Sequence, residues 1–292
     1  MIFEGTGTAL ITPFDSNSKV NFSKFKQLIN MQISAGVQAL IINGTTGEAT
    51  TLSEKEQQEC LKRTIKTVHG RVPIIAGTGS NVTEHALDKT LQAQIARADA
   101  AMIVTPYYLK TSQAGLIEHY TYIANNVEIP ILMYHVPGRT GQVMTAETVI
   151  ELSKHPRIVG IKDATGDIEF AKKIRKNTDK DFAIYVGNDN QISLYMCDPT
   201  VRANGVISVV SNMFPEQTQQ ICTSDKKTAT KLQKKILPVI DAVFEEPNPI
   251  GVKAGMNILG HGVGGHRRPL VEMADANQAQ LELAINNYIK VK

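Results

Sequence analysis

The sequence of 292 residues has three cysteines, no tryptophan and no long apolar run. Cys60, Cys197 and Cys222 are far apart and form no CxxC pair, which argues against a disulfide framework and favours reduced thiols. No apolar stretch approaches the roughly 20 residues that a membrane-spanning helix needs. The opening "MIFEGTGTALITPF" lacks the basic start of a signal peptide. We therefore expect a soluble, cytoplasmic protein.

The charged residues also argue against several classes of partner. The net charge is +3, and lysines and arginines are scattered, so we expect neither nucleic acid nor an anionic membrane as partner. The seven histidines show no metal-ligand spacing with cysteines or carboxylates. The segment "GHGVGG" imitates a dinucleotide fingerprint but follows a helix-like stretch. The sequence therefore predicts no metal and no cofactor.

What the sequence does contain is a regular series of short apolar runs. They are "TGTALIT", "ALIIN", "VPIIAGT", "AAMIVT", "PILMY", "IVGIK", "FAIYVG" and "GVISVV". Runs that are nearly continuous, not alternating, are typical of strands buried on both faces, as in parallel sheets. Helix-like stretches separate them. The pattern predicts a (β/α)8 barrel over residues 1–224, with a doubly wound open sheet as the weaker alternative.

Two of the intervening helices have start signals. Ser53 with Glu56 three residues later forms a capping box pattern. Asn81 is the predicted cap of the next helix, with Glu84 at its third helical position.

After residue 224 the strand pattern stops and apolar stripes at helical spacing follow. Leu281, Ile285 and Tyr288 form one such stripe. We predict a C-terminal helical domain over residues 225–292 that packs on the barrel or on a partner subunit.

Polar and reactive residues follow the carboxyl ends of the predicted strands, where such barrels build active sites. They are Pro13, "NGTTGE", "GTGSN", "TPYY", "YHVPGRTG", Lys162 and "GND". This convergence indicates an enzyme.

Lys162 ends a buried strand, where an apolar interior should reject a cation. A lysine extending to solvent is the ordinary explanation. In a desolvated barrel mouth, however, the charged form of an amine is disfavoured, and a free amine attacks carbonyl carbon to form a Schiff base.

The neighbouring loops favour the catalytic interpretation. "NGTTGE" could be a plain turn, but successive backbone N–H groups with the Thr45 and Thr46 hydroxyls suit a carboxylate. Tyr134 could be structural, or it could transfer protons between imine intermediates. Arg139 could be solvated, or it could bind the carboxylate of a second substrate. Together they suggest an α-keto acid that reacts with an amine.

The motifs "NGTTGE", "AGTGSN", "TPYY", "YHVPGRTG", "GIKDATGD" and "NGVISV" resemble those of the dihydrodipicolinate synthase family, within the pyruvate-dependent class I aldolase superfamily. The likeness runs from "FEGTGTALITPF" to about "EEPNPIGVK". It implies a lyase that condenses pyruvate with L-aspartate 4-semialdehyde to give 4-hydroxy-tetrahydrodipicolinate in lysine (diaminopimelate) biosynthesis.

The resemblance also implies residue roles. Lys162 would form the imine with pyruvate, whose carboxylate lies on Thr45 and Thr46. Tyr134 and Thr46 would form a proton relay with Tyr108 of a neighbouring subunit. A homotetramer built from tight dimers is therefore implied.

Three further residues would bind or line the substrate pocket. Arg139 would hold the semialdehyde carboxylate, and Gly187 and Ile207 would line the pocket through backbone groups. Arg139 also separates this family from the sialic acid lyases, which share the lysine and tyrosine but lack this arginine. A related N-acetylneuraminate lyase or 2-keto-3-deoxy sugar acid aldolase is the second hypothesis, and a catalytically silent barrel that binds a partner is the third.

The sequence departs from the family pattern at several points. His135 replaces the usual asparagine, the segment 195–208 is long and lacks paired glycines before Val206, and "HRRPL" replaces "RLPL". The positions of the family's lysine feedback site are Ala49, Glu54, Gln57, Asn81 and His85, of which only the asparagine fits, together with Tyr107. We predict weak or absent inhibition by lysine.

Overall fold

Within residues 1–290, which the computed structural model describes, eight parallel strands close into a barrel. Each strand pairs with the next, and the last pairs with the first. The strands are β1 Gly5–Ala9, β2 Ala39–Ile42, β3 Ile74–Gly77, β4 Ala100–Val104, β5 Ile131–His135, β6 Ile158–Asp163, β7 Ala183–Val186 and β8 Gly205–Ser208. The predicted (β/α)8 barrel is confirmed, and the open-sheet alternative is wrong.

Most strand residues are apolar, and they pack both inside the barrel and against the helices outside it. Ile41, Leu132 and Ile207 belong to the cluster that fills the interior, and all three are fully buried. Ile103 faces the other way and packs in the outer cluster with the helices. Phe3, which precedes β1, stacks on an interior tyrosine of β7 with ring centroids 4.3 Å apart. The interior is therefore a packed core and not a channel.

Helices follow the strands and cover the barrel. They are α1 Phe22–Ser34, α2 Glu54–Val68, α3 Thr83–Ala96, α4 Gln113–Asn125, α5 Pro137–Thr140, α6 Ala146–Leu152, α7 Ile168–Asn177, α8 Ile192–Cys197, α9 Pro215–Thr223, α10 Lys226–Val243, α11 Ile250–Ile258 and α12 Asp275–Lys290. In the part of the chain that the structure describes, no helix has the length and apolar character needed to cross a bilayer.

One helix start agrees with the sequence analysis and the other does not. Ser53 caps α2, accepting from the Glu56 backbone N–H, and the Glu56 carboxylate accepts in return from the Ser53 backbone. The predicted Asn81 cap is wrong. The N-cap of α3 is Val82, whose backbone N–H donates to Ser80 Oγ, so the helix begins at Thr83, later than predicted.

The last three helices pack on the barrel and on one another. Leu281, Ile285 and Tyr288 of α12 are buried, as the apolar stripe predicts. The Tyr288 ring meets Phe214, just before α9, edge to face at 5.0 Å between centroids. The division into domains 1–224 and 225–292 stays a prediction, and its residues 291–292 lie outside the described residues.

Candidate active site

Lys162 lies inside the barrel, next to Tyr134. The two residues are paired in register across β5 and β6, close to the carboxyl ends of those strands. Lys162 is 6% exposed and Tyr134 7% exposed, and the lysine Nζ lies 4.2 Å from the centroid of the tyrosine ring. Among residues 1–290, no carboxylate forms an ion pair with Lys162. The amine therefore meets an aromatic face and is not committed to a counter-ion.

The buried carboxylates near this lysine are occupied by other donors. Asp163 accepts from the Tyr195 hydroxyl at 2.9 Å. Asp189 accepts from the Ser208 hydroxyl at 2.5 Å and from the Val209 backbone N–H at 2.9 Å. Burial raises the pKa of both aspartates, although the charge of Lys162 acts in the opposite direction on Asp189. The oxygens of both carboxylates are therefore already engaged in hydrogen bonds.

The "NGTTGE" turn follows β2 and places two threonines differently. Thr45 is exposed and lines a cavity of about 470 Å³ that also reaches Tyr134 and Tyr107. Thr46 is 2% exposed. The cavity wall also includes Gly77, where an added Cβ would lie 2.2 Å from the Asn43 carbonyl oxygen, so only glycine lets β3 approach the turn this closely.

Lys162 does not line that cavity among the described residues 1–290. It lies against the ring of Tyr134, which does line it. The Tyr134 side chain therefore lies next to both the cavity and the Lys162 amine.

The turn is fixed from behind by a buried ion pair. Lys253 of α11 is fully buried, and its Nζ donates to Glu48 Oε1 at 2.7 Å and to the carbonyl of Thr12 at 3.1 Å. Burial lowers the pKa of Lys253, and the adjacent Glu48 opposes that shift. Arg267 adds a backbone N–H bond to Glu48 Oε2 and a paired contact to Glu56. Removing one partner of such a pair leaves an uncompensated buried charge, so we expect the contact between α11 and the turn to be costly to break.

Arg139 and Tyr108 stand at the rim of the site. Arg139 is exposed on the short α5, and its Nη2 donates to the Asn248 carbonyl at 3.2 Å. Tyr108 is 91% exposed with a positive φ of 68°, and its backbone N–H donates to the Thr140 carbonyl. The structure does not bring Tyr108 to Tyr134 within one chain.

Gly187 and Ile207 are the two residues predicted to offer backbone groups to the substrate, and their surroundings differ. Gly187 donates its N–H to the Asp163 carbonyl at 2.6 Å, and a Cβ there would lie 2.7 Å from the Ala164 Cβ. The Ile207 side chain is fully buried in the interior cluster, so only its backbone is available to a substrate.

His135 has a structural role. It is almost fully buried, and its Nε2 accepts from the Met144 backbone N–H at 3.0 Å. Burial lowers its pKa to about 4, so the ring is neutral near pH 7 and ties the end of β5 to the segment before α6.

The supporting contacts of the turn, made by Asn248, Lys253 and Glu48, are not predicted by any local sequence pattern. The available signal was the lone lysine within the apolar "IGVKAGM" stretch of α11, because a buried lysine requires a partner.

The chain matches the model of the dihydrodipicolinate synthetase family over residues 2–288. It belongs to this family. It is 45% identical over 291 residues to a 4-hydroxy-tetrahydrodipicolinate synthase of Exiguobacterium sibiricum, covering 98% of each chain. These findings confirm the predicted family and the predicted lyase of the 4-hydroxy-tetrahydrodipicolinate synthase type.

Solved structures of the dihydrodipicolinate synthetase family superpose on the whole chain. The chloride-inhibited dihydrodipicolinate synthase of Acinetobacter baumannii, complexed with pyruvate, gives a TM-score of 0.95 at 37% identity, covering 98% of this chain and 99% of that one. A monomeric dihydrodipicolinate synthase variant gives 0.94 at 36% identity, covering 98% and 97%. The family therefore includes a monomeric member, and membership alone does not fix the assembly.

Proposed function

We propose that this chain condenses pyruvate with L-aspartate 4-semialdehyde to give 4-hydroxy-tetrahydrodipicolinate, through an imine on Lys162. The observation on which this rests is the buried, unpaired Lys162 amine against the Tyr134 ring at the carboxyl ends of the strands. The pyruvate-bound relative supports the choice of keto acid. The threonine turn supplies hydroxyl and backbone donors for its carboxylate.

The reaction follows from amine chemistry. The Lys162 nitrogen adds to the pyruvate ketone carbon, and water leaves to form the imine. Loss of a methyl proton gives an enamine, whose terminal carbon attacks the aldehyde of the second substrate. The amino group of that substrate then displaces the lysine nitrogen and closes the ring. We propose no metal or other cofactor, because the imine itself is the electron sink, and we propose that the enzyme works in the cytoplasm.

The proton relay is proposed to use both threonines. The sequence analysis gives the relay to Tyr134 and Thr46. Thr45, however, lines the cavity with Tyr134, whereas Thr46 is almost fully buried. We therefore propose that Thr45 shares the relay and that Thr46 chiefly binds the carboxylate.

Tyr108 is proposed to complete the relay from a partner subunit in a homotetramer of tight dimers. Its ring is exposed in one chain, and a tyrosine held with positive φ on a short loop is unusual unless something orders it. Its neighbour Leu109 is exposed as well.

Mixing two inactive variants tests this arrangement. Lys162→Ala and Tyr108→Phe chains, refolded together, should regain about a quarter of wild-type activity. Random pairing makes half of the dimers hybrids, and each hybrid has one intact site out of two. Steady-state assay of the mixture against each variant alone measures it. No gain on mixing, with hybrids present by native mass spectrometry, would place Tyr108 outside the partner's site.

Arg139→Ala should raise KM for the semialdehyde about 10- to 100-fold, because one charge-assisted contact to a carboxylate is lost. Imine formation with pyruvate should change little. Pre-steady-state trapping and steady-state kinetics separate the two effects. Equal loss of both would show that Arg139 is misassigned.

Lysine at submillimolar concentration should leave the initial rate unchanged. Ala49, Glu54 and Gln57 line the cavity beside Tyr107. The family resemblance implies that lysine-inhibited members have other side chains at these three positions. A steady-state titration with lysine checks this, and clear inhibition would contradict it.

Substrate choice decides between the functional hypotheses. The chain should turn over pyruvate with L-aspartate semialdehyde and should not cleave N-acetylneuraminate or a 2-keto-3-deoxy sugar acid. Cleavage of either sugar acid in preference would favour the related lyases. Absence of any pyruvate adduct would favour a silent scaffold.

A further inference from the structure

Asn248 contacts both groups that are proposed to bind substrate carboxylates. It lies in the loop between α10 and α11 and is 7% exposed. Its side-chain Nδ2 donates to Thr46 Oγ1 at 3.0 Å. Its backbone carbonyl accepts from Arg139 Nη2 at 3.2 Å. One loop residue therefore connects the threonine turn with the rim arginine.

The other end of the Asn248 side chain has no partner. Its Oδ1 is buried without a hydrogen bond within the described residues 1–290. A buried polar atom left unsatisfied costs free energy, whereas an apolar side chain of similar shape would not. The bond to Thr46 accounts for the Nδ2 end of the amide, but the fold offers no partner for the Oδ1 end, and such exceptions are found at functional sites.

The hydrogen bond from Asn248 determines whether the Thr46 hydroxyl acts as a donor or as an acceptor toward a ligand. A hydroxyl has one proton and two lone pairs. Because the amide N–H occupies a lone pair of Oγ1, the Thr46 proton is left to donate elsewhere. A hydroxyl whose proton is free to donate suits an anion, whereas one that donates to a carbonyl has only lone pairs left to offer, and these repel an anion.

The position of Asn248 is fixed by the same buried pair that holds the turn. Lys253, in the second turn of α11, bonds to Glu48, two residues after Thr46. The helix that follows Asn248 is thus tied to the turn that Asn248 contacts. The amide and the hydroxyl are held by one rigid unit.

We propose that Asn248 is a positioning residue for the keto acid: it orients the Thr46 hydroxyl as a donor to the pyruvate carboxylate. This rests on the proposed function, in which Thr46 binds that carboxylate. The Asn248 side chain influences pyruvate binding through Thr46, and the Asn248 backbone carbonyl holds Arg139. A substitution at this position removes the first effect and keeps the second.

Asn248→Ala should raise the half-saturating pyruvate concentration for borohydride-trapped imine about 10-fold, with KM for the semialdehyde within about 2-fold. Asn248→Asp, nearly the same shape, should raise it further, because the aspartate carboxylate would accept the hydrogen bond of the Thr46 hydroxyl and its negative charge would repel pyruvate. Asn257→Ala is the matched control, because within residues 1–290 its side chain donates to the Gly264 carbonyl, accepts from the Val263 backbone N–H and has no hydrogen bond to Thr46. It should leave pyruvate saturation unchanged.

A double-mutant cycle identifies the route of the effect. In a Thr46→Val background, Asn248→Ala should add little to the half-saturating concentration, because the residue acts through that hydroxyl. Additive effects, equal changes for both substrates, or no change in Asn248→Asp would overturn the proposal. Thermal unfolding of each variant excludes simple misfolding, and Asn248→Asp preserves the test if the alanine variant does not fold. If the wild-type chain traps no pyruvate, the proposed function fails and this proposal fails with it. If the wild-type chain traps pyruvate and the Asn248 variants saturate at the same pyruvate concentration, this proposal alone fails.

Discussion

Replacing Lys162 by arginine is expected to lower kcat/KM for the condensation by about 10³-fold, equivalent to about 4 kcal/mol of transition-state stabilisation. Arginine keeps the charge and much of the length, but its guanidinium is always protonated and does not form the imine. The Tyr134 ring still offers a cation–aromatic contact. The loss of activity should therefore come from the missing imine and not from a change in the fold.

The measurement is steady-state turnover with both substrates, alongside thermal unfolding. Lys176→Arg is the matched control, because Lys176 is exposed on α7, away from the barrel mouth. It should keep wild-type activity. A Lys162→Arg enzyme that retained most of its turnover would exclude covalent catalysis at this residue.

Tyr134→Phe is expected to lower kcat by about 10²- to 10⁴-fold, the usual contribution of a positioned proton-transfer group. The substitution removes only the hydroxyl, and the ring that packs on Lys162 remains. Imine formation and the later proton transfers should both slow, while the fold is preserved. Rapid-quench trapping of the imine and steady-state kinetics measure the two effects.

A second buried tyrosine provides the control for that experiment. Tyr120 of α4 donates its hydroxyl to the Ile103 carbonyl at 2.9 Å, outside the barrel mouth. Tyr120→Phe should lower the free energy of unfolding by about 1–3 kcal/mol, because a buried acceptor loses its donor, and should leave kcat unchanged. If both variants lost activity equally, the Tyr134 hydroxyl would be structural.

The barrel could be predicted from the sequence because each strand that is buried on both faces is a short, nearly continuous run of apolar residues. The Ser53 cap could be predicted for the same reason, since both of its partners lie within four residues. The Asn81 cap was wrong because a short polar loop allows the helix to begin at either of two adjacent residues. The position of Lys162 beside Tyr134 could be predicted because strand ends define one face of a parallel barrel.

The support of the site could not be predicted in this way. Asn248 meets Thr46 across 202 residues, and Lys253 meets Glu48 across 205. No local pattern links such distant positions. Which threonine faces the cavity was also beyond the sequence, because it depends on the backbone of the turn, where Glu48 adopts a left-handed conformation.

The most direct test is borohydride reduction in the presence of pyruvate, followed by peptide mass mapping. We expect one reduced pyruvate per chain, located on the peptide that contains Lys162, and none without pyruvate. An adduct on another lysine, or no adduct at all, would contradict it.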